Sequence, residues 1–137
     1  MSLVIDSSVA LTWCFEDEHT PATVAVLDQI AEAGAVAPAL WPLEVLNGLT
    51  MAERRGRLNA AHRHQLAGFL RDLPVSLDHE TANQAWTATA LLAECYRLTL
   101  YGAAYLELAQ RLDLPLATLD KELRAAASSL GVTLLGN

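Results

Sequence analysis

The sequence has few of the features that usually identify a function quickly. It holds only two cysteines, Cys14 and Cys95, far apart and in no CxxC pair. That signals neither a zinc site nor a disulfide framework, and free, buried thiols are the expectation. No apolar run approaches the roughly 20 residues that a membrane span requires, and no basic region followed by a signal-type apolar block stands at the amino terminus. A soluble, cytoplasmic protein without a membrane partner is therefore expected. Positive charge is also scarce: nine Lys and Arg stand against 16 Asp and Glu, for a net charge of -7. This argues against the broad basic field of a protein that coats nucleic acid, so a phosphate-bearing partner would need local cations or bound metal. Repeats, low-complexity tracts and linkers are missing too. The 137 residues, 53 % of them hydrophobic, predict a single domain over residues 1–137 with a core that needs no covalent staples.

What is present is a regular alternation. Leu3 to Ile5 reads as a strand, followed by a short helix through about Phe15 that Asp6 or Ser7 could cap. Thr20 before Pro21 supplies a capping hydroxyl and then a residue whose missing amide hydrogen does no harm, so a helix runs from there to Gly34. "AVAP" is a second strand. "LWPLEVLNGLTMAERRG" is a helix leaving at Gly56, and Asn59 caps another through about Asp72. "PVSLD" is a third strand, followed by a long alanine-rich helix ending near Arg97 and a further one from Thr99. "LPLAT", "DKELRAAASSL" and "VTLL" complete the chain as strand, helix and strand. Short apolar strands separated by helices imply a mainly parallel sheet, because parallel strands need crossovers. The predicted fold is α/β: a three-layer α/β/α sandwich around a short sheet.

In such sheets ligands bind beyond the carboxyl ends of the strands. Asp6 ends the first strand and Asp120 stands just past the fourth, so both belong to that rim. Either alone could be an ordinary helix cap. Together, two carboxylates on one rim repel each other unless a proton or a cation intervenes, and a hard divalent ion suits oxygen ligands. Glu44 is the third candidate, early in the helix after the second strand. Trp41, Val45 and Leu49 form one stripe of that helix, while Glu44, Asn47 and Gly48 share another.

The segments "LVIDSSV", "PLEVLNGL" and "LTLYGAAYLELAQRLDLPLATLDKEL", in this order and spacing, resemble the PIN-domain ribonucleases, specifically VapC-like toxins of toxin–antitoxin pairs. The resemblance implies a PIN-like fold and a ribonuclease that uses Mg2+ or Mn2+ to cut RNA. It also implies a VapB-like antitoxin as partner and a homodimer. It assigns Asp6, Glu44 and Asp120 to three of four acidic positions, as catalytic and metal-binding residues. The third of the four positions departs from the pattern, with Tyr101, Gly102, Ala103 where tyrosine, aspartate, alanine would stand. If Thr99 is the helix cap, Gly102 is the third helical residue. An acid there would complete a capping box, whereas glycine costs roughly 1 kcal/mol relative to alanine. Three explanations stay open: a site of three acids completed by waters, a degenerate copy, and a chain altered to suppress toxicity. The alternative function is a catalytically weakened PIN-like module that binds antitoxin or RNA without cutting. A haloacid-dehalogenase-like phosphatase would need a second aspartate where Ser8 stands, and a receiver domain needs more acids than this chain offers.

Five of the nine basic residues, Arg54, Arg55, Arg57, Arg63 and Arg71, are concentrated just beyond the Glu44 helix. Arg54, Arg55 and Arg57 are the candidates for contact with RNA or a partner protein. His62 and His64, two apart, diverge on a helix and are read as surface residues, as is Glu94. Trp13, Trp41 and Trp86 are expected in the core or an interface. Tyr101 and Tyr105, one turn apart around Gly102, are candidates for the wall of the site.

Overall fold

The computed structural model describes residues 2–137, and the apolar runs of the sequence become the strands of its sheet. They are β1 (Val4–Ile5), β2 (Ala35–Pro38), β3 (Val75–Asp78), β4 (Leu116–Ala117) and β5 (Leu134–Leu135). All pair in parallel, in the order β3-β2-β1-β4-β5. Val4 lies opposite both Val36 and Leu116, and Ile5 opposite Ala117. Val4, Ile5, Leu116 and Ala117 are wholly buried, as befits central strands covered on both faces by crossover helices.

The helices are α1 (Ser7–Thr12), α2 (Pro21–Ala33), α3 (Trp41–Arg54), α4 (Ala60–Asp72), α5 (Thr81–Gln84), α6 (Ala90–Tyr96), α7 (Leu100–Leu112) and α8 (Lys121–Ser129). Four of their starts follow side-chain chemistry. Thr20 and Thr23 exchange reciprocal bonds at the start of α2, and Asn59, Thr99 and Asp120 each accept an amide hydrogen at α4, α7 and α8. The stops are also local: Gly34 and Gly56 take φ of 78° and 80°, a region open to glycine without strain.

One expected element is different. The long helix toward Arg97 is interrupted between α5 and α6 by a π-helical segment, Ala85–Thr89, and Arg97 ends it in the left-handed region at φ 54°. Alanine-rich composition favours helix of any hydrogen-bond register, so it could not reveal this widened turn. Trp86, within the segment, is 87 % exposed and so lies outside the core, whereas Trp13 and Trp41 are buried in it. Cys14 is buried as expected, but Cys95 is exposed.

Gly48 determines how α1 meets α3. A Cβ there would come within 2.5 Å of a Leu11 methyl carbon, so the bare backbone leaves the space that Leu11 fills. That close approach brings the start of α1 alongside Glu44. No helix among the described residues is long and apolar enough to cross a membrane.

Candidate active site

Strand order reverses between β1 and β4: the chain builds outward to β2 and β3 on one side, then returns to the other flank of β1. Such a reversal leaves a crevice at the carboxyl ends of the two strands, since their following connections diverge. Asp6 stands there, directly after β1. Its backbone amide donates to Ala117 at 3.0 Å, and its carbonyl accepts the first helical bonds of α1. Its side chain does not cap α1. The carboxylate, 6 % exposed, instead accepts hydroxyl hydrogens on Oδ2 from Ser8 and Thr118, both at 2.7 Å. Ser7 contributes a longer contact of 3.4 Å to Oδ1.

Glu44 reaches the same place from the first turn of α3. The Ser7 hydroxyl spans the two acids, lying 3.4 Å from Glu44 Oε1 as well as from Asp6 Oδ1. A stronger bond comes from the opposite helix, where the Tyr105 hydroxyl donates to Glu44 Oε1 at 2.6 Å. Tyr105 is 1 % exposed on α7, whereas Tyr101 is 65 % exposed and makes no such contact. Gly102 lies one turn before Tyr105 on the same helix. Its amide donates to Thr99 at 3.0 Å, and a Cβ on it would meet only that hydroxyl, at 3.4 Å.

Asp120 occupies the outer rim. One oxygen is engaged in capping α8, accepting from Leu123 at 3.0 Å, and the residue is exposed. Its link to Asp6 runs through Thr118, whose hydroxyl accepts from the Asp120 amide at 3.1 Å while donating to Asp6. Ser8 closes the same seam by accepting from the Leu119 amide at 3.0 Å. Ser8 and Thr118 are thus site residues that acid-seeking in the sequence passed over. The available signal was a hydroxyl two positions past Asp6 and another two before Asp120.

The electrostatics are those of a crowded anionic pocket. Burial pushes the Asp6 carboxyl above its ordinary range; bonds from Thr118, Ser8 and the Ser7 backbone resist this, and the charge of Asp120 adds to it. Burial likewise raises Glu44, opposed by Tyr105 and Ser7 and reinforced by the charge of Asp6. Tyr105 is held as a neutral donor, its pKa raised by burial and then by its bond to Glu44. None of the three acids has an ion-pair partner among the described residues. Nor do any three His, Cys, Asp or Glu side chains among those residues form a group that could hold an ion together. The structure joins Asp6 to Glu44 through Ser7 and to Asp120 through Thr118, without drawing all three into one ligand cage. The donor set that exists, two hard carboxylates with no counter-charge, fits a strongly hydrated divalent ion that needs only one or two direct carboxylates.

Of the arginines beyond α3, Arg54 and Arg55 are exposed and have no ion-pair partner among the described residues. Arg57 is already engaged. It bonds Glu18 at 2.8 Å and Asp17 at 3.0 Å, and stacks 4.1 Å from the centre of the Phe15 ring. Arg63 pairs with Glu53, and Arg71 approaches Asp72 at 3.9 Å. His62, His64 and Glu94 are exposed.

The fold is similar to that of PAE2754 from Pyrobaculum aerophilum, at TM-score 0.70 and 23 % identity, covering 98 % of this chain and 83 % of the other. FitAcB from Neisseria gonorrhoeae aligns at TM-score 0.66 and 17 % identity, over 98 % and 96 % of the two chains. VapBC2 from Rickettsia felis, bound to a DNA fragment from their promoter, aligns at 0.61 and 13 % over 98 % and 97 %. No curated protein sequence matches significantly. The PIN domain family model matches residues 3–128, a span that runs from the strand before Asp6 through the helix capped by Asp120. With its parallel sheet, its reversal beside β1 and its acids at that crevice, the chain belongs to the PIN domain family.

Proposed function

We propose that this single PIN-like domain is a metal-dependent endoribonuclease of the toxin type, acting as a homodimer in the cytoplasm and inhibited by a VapB-like antitoxin. The observation that carries the proposal is the pairing of Asp6 and Glu44: two carboxylates that share the Ser7 hydroxyl at the crevice, each with its pKa raised by burial and neither paired with a basic side chain among the described residues. Membership of the PIN family supports nuclease chemistry, and the fold shared with FitAcB and VapBC2 supports an antitoxin partner.

Asp6 and Glu44 would hold Mg2+ or Mn2+, with Asp120 at the rim. When bound, such an ion supplies a water of lowered pKa and neutralises charge building on a phosphodiester. The chain's own groups do the rest. Ser8 and Thr118 fix the Asp6 carboxylate in one orientation, leaving Oδ1 the less engaged oxygen. Glu44 Oε2, free of the Tyr105 bond, is the oxygen left to the ion. Arg54 and Arg55, at the end of α3, contact the RNA backbone, while Arg57 is tied to Asp17 and Glu18.

A second reading, a PIN-like module that binds without cutting, is favoured by Gly102 and by the absence of a three-acid group among the described residues. An RNA cleavage assay with Mg2+ or Mn2+ decides between them. Under the nuclease reading the chain cuts, Asp6→Asn does not, and Gly102→Asp cuts faster. Cleavage confined to Gly102→Asp would establish the binding module instead.

A further inference from the structure

Glu44 sits in an unfavourable place for a flexible acid. It is half-buried next to the charge of Asp6, yet an outward turn of its side chain would relieve both burial and repulsion. Something must hold it inward. The Ser7 contact at 3.4 Å is too long to do so alone. The Tyr105 bond, at 2.6 Å to a charged acceptor, belongs to the strong class of hydrogen bonds. Tyr105 is well suited to the task because its ring is held in the core, at 1 % exposure.

From this geometry we infer that Tyr105 is a positioning residue: its hydroxyl pins Glu44 Oε1 inward, on the side that Ser7 links to Asp6, and leaves Oε2 to bind a cation. The inference rests on the metal-site reading above and extends it to the opposite helix. It also explains how α7 serves the site while Gly102 leaves its first turn without an acid. The helix contributes a fixed donor to a ligand instead of a ligand. A tyrosine buried only for packing would also satisfy its hydroxyl on the nearest acceptor, but its loss would leave ion affinity untouched.

The test is a Mn2+ titration of the metal-free protein followed by electron paramagnetic resonance, on the unaltered chain, Tyr105→Phe and Asp6→Asn, with cooperative unfolding checked for each. Tyr105→Phe should fold cooperatively and bind Mn2+ about ten- to a hundredfold more weakly, the range seen when a hydrogen-bond partner of a metal ligand is removed. Equal affinity in Tyr105→Phe overturns the inference while Asp6→Asn still reports on the acid pair. Should the unaltered chain bind no Mn2+, the metal reading fails separately. Carboxyl-carbon NMR of metal-free protein then reads the tether itself: one Glu44 resonance that shifts and broadens in Tyr105→Phe is expected, and a resonance unmoved by the substitution overturns it.

Discussion

The Thr118 hydroxyl, at the end of β4, donates to the Asp6 carboxylate, at the end of β1, across 2.7 Å. Thr118 is wholly buried, so Thr118→Val keeps the shape and removes a bond from a buried acceptor. Such a loss costs about 1–3 kcal/mol. Urea unfolding should show a lower midpoint with an unchanged slope, and the Asp120 amide loses its acceptor in the same step.

Glu44→Gln should stabilise the protein. The amide oxygen keeps the Tyr105 bond while the charge that repels Asp6 disappears. A gain of about 0.5–2 kcal/mol, the scale common for stabilising changes at functional sites, is the expected outcome of thermal or urea unfolding. Nuclease activity should be lost in the same variant.

The pH dependence should combine two opposite contributions. Asp6 and Glu44 titrate above their ordinary range when folded, so the folded state binds more protons, and stability falls as pH rises through those raised values. Asp78 behaves oppositely. Burial works against its charge, but Arg111, the Glu80 backbone and Thr81 together hold its carboxyl low, so its contribution is lost as pH falls through the lowered value. Arg111 joins Asp78 at 2.7 Å to Glu107 at 2.8 Å. Arg111→Ala should cost roughly 2 kcal/mol, less than for a fully buried pair because that side chain is 25 % exposed. It should also flatten the acid limb of the stability profile.

Arg54→Ala with Arg55→Ala should reduce the salt slope of single-stranded RNA binding by about 1.4, the value for two lost phosphate contacts. Arg57→Ala should leave that slope close to its original value, because its charge is spent on Asp17 and Glu18. Filter binding over a salt series separates the two cases.

Gly102→Asp should couple the melting temperature more strongly to Mn2+. The added side chain meets only Thr99 at its base, and it lies one turn from Tyr105. Each tenfold gain in ion affinity adds about 1.4 kcal/mol of ligand-linked stability at saturating ion. Calorimetry with and without Mn2+ measures the difference.

Most of the architecture could be read from local chemistry. Thr20–Pro21, Asn59, Thr99 and Asp120 announce helix starts, Gly34 and Gly56 announce stops, and the apolar runs at Val4–Ile5 and Leu116–Ala117 announce buried strands. The π-helical turn at Ala85–Thr89 was not legible, since its alanines and threonines do not mark one helical register over another. At the site, the acids stand out in the sequence because charge next to apolar strands is conspicuous. The hydroxyls that orient them do not, because Ser8 and Thr118 show their role only when β4 lies against β1. The engagement of Arg57 was equally hidden, as Asp17 and Glu18 lie 40 and 39 positions away.

The place of β4 in the sheet has a consequence for biosynthesis. Asp6 and Thr118 are separated by 112 positions, and the flank of β1 that β4 covers stays open until that late segment has left the ribosome. A nascent chain carries its first acid from the outset but has no finished pocket for it. The buried, hydroxyl-lined setting of Asp6 is therefore completed only after β4 has emerged and docked beside β1.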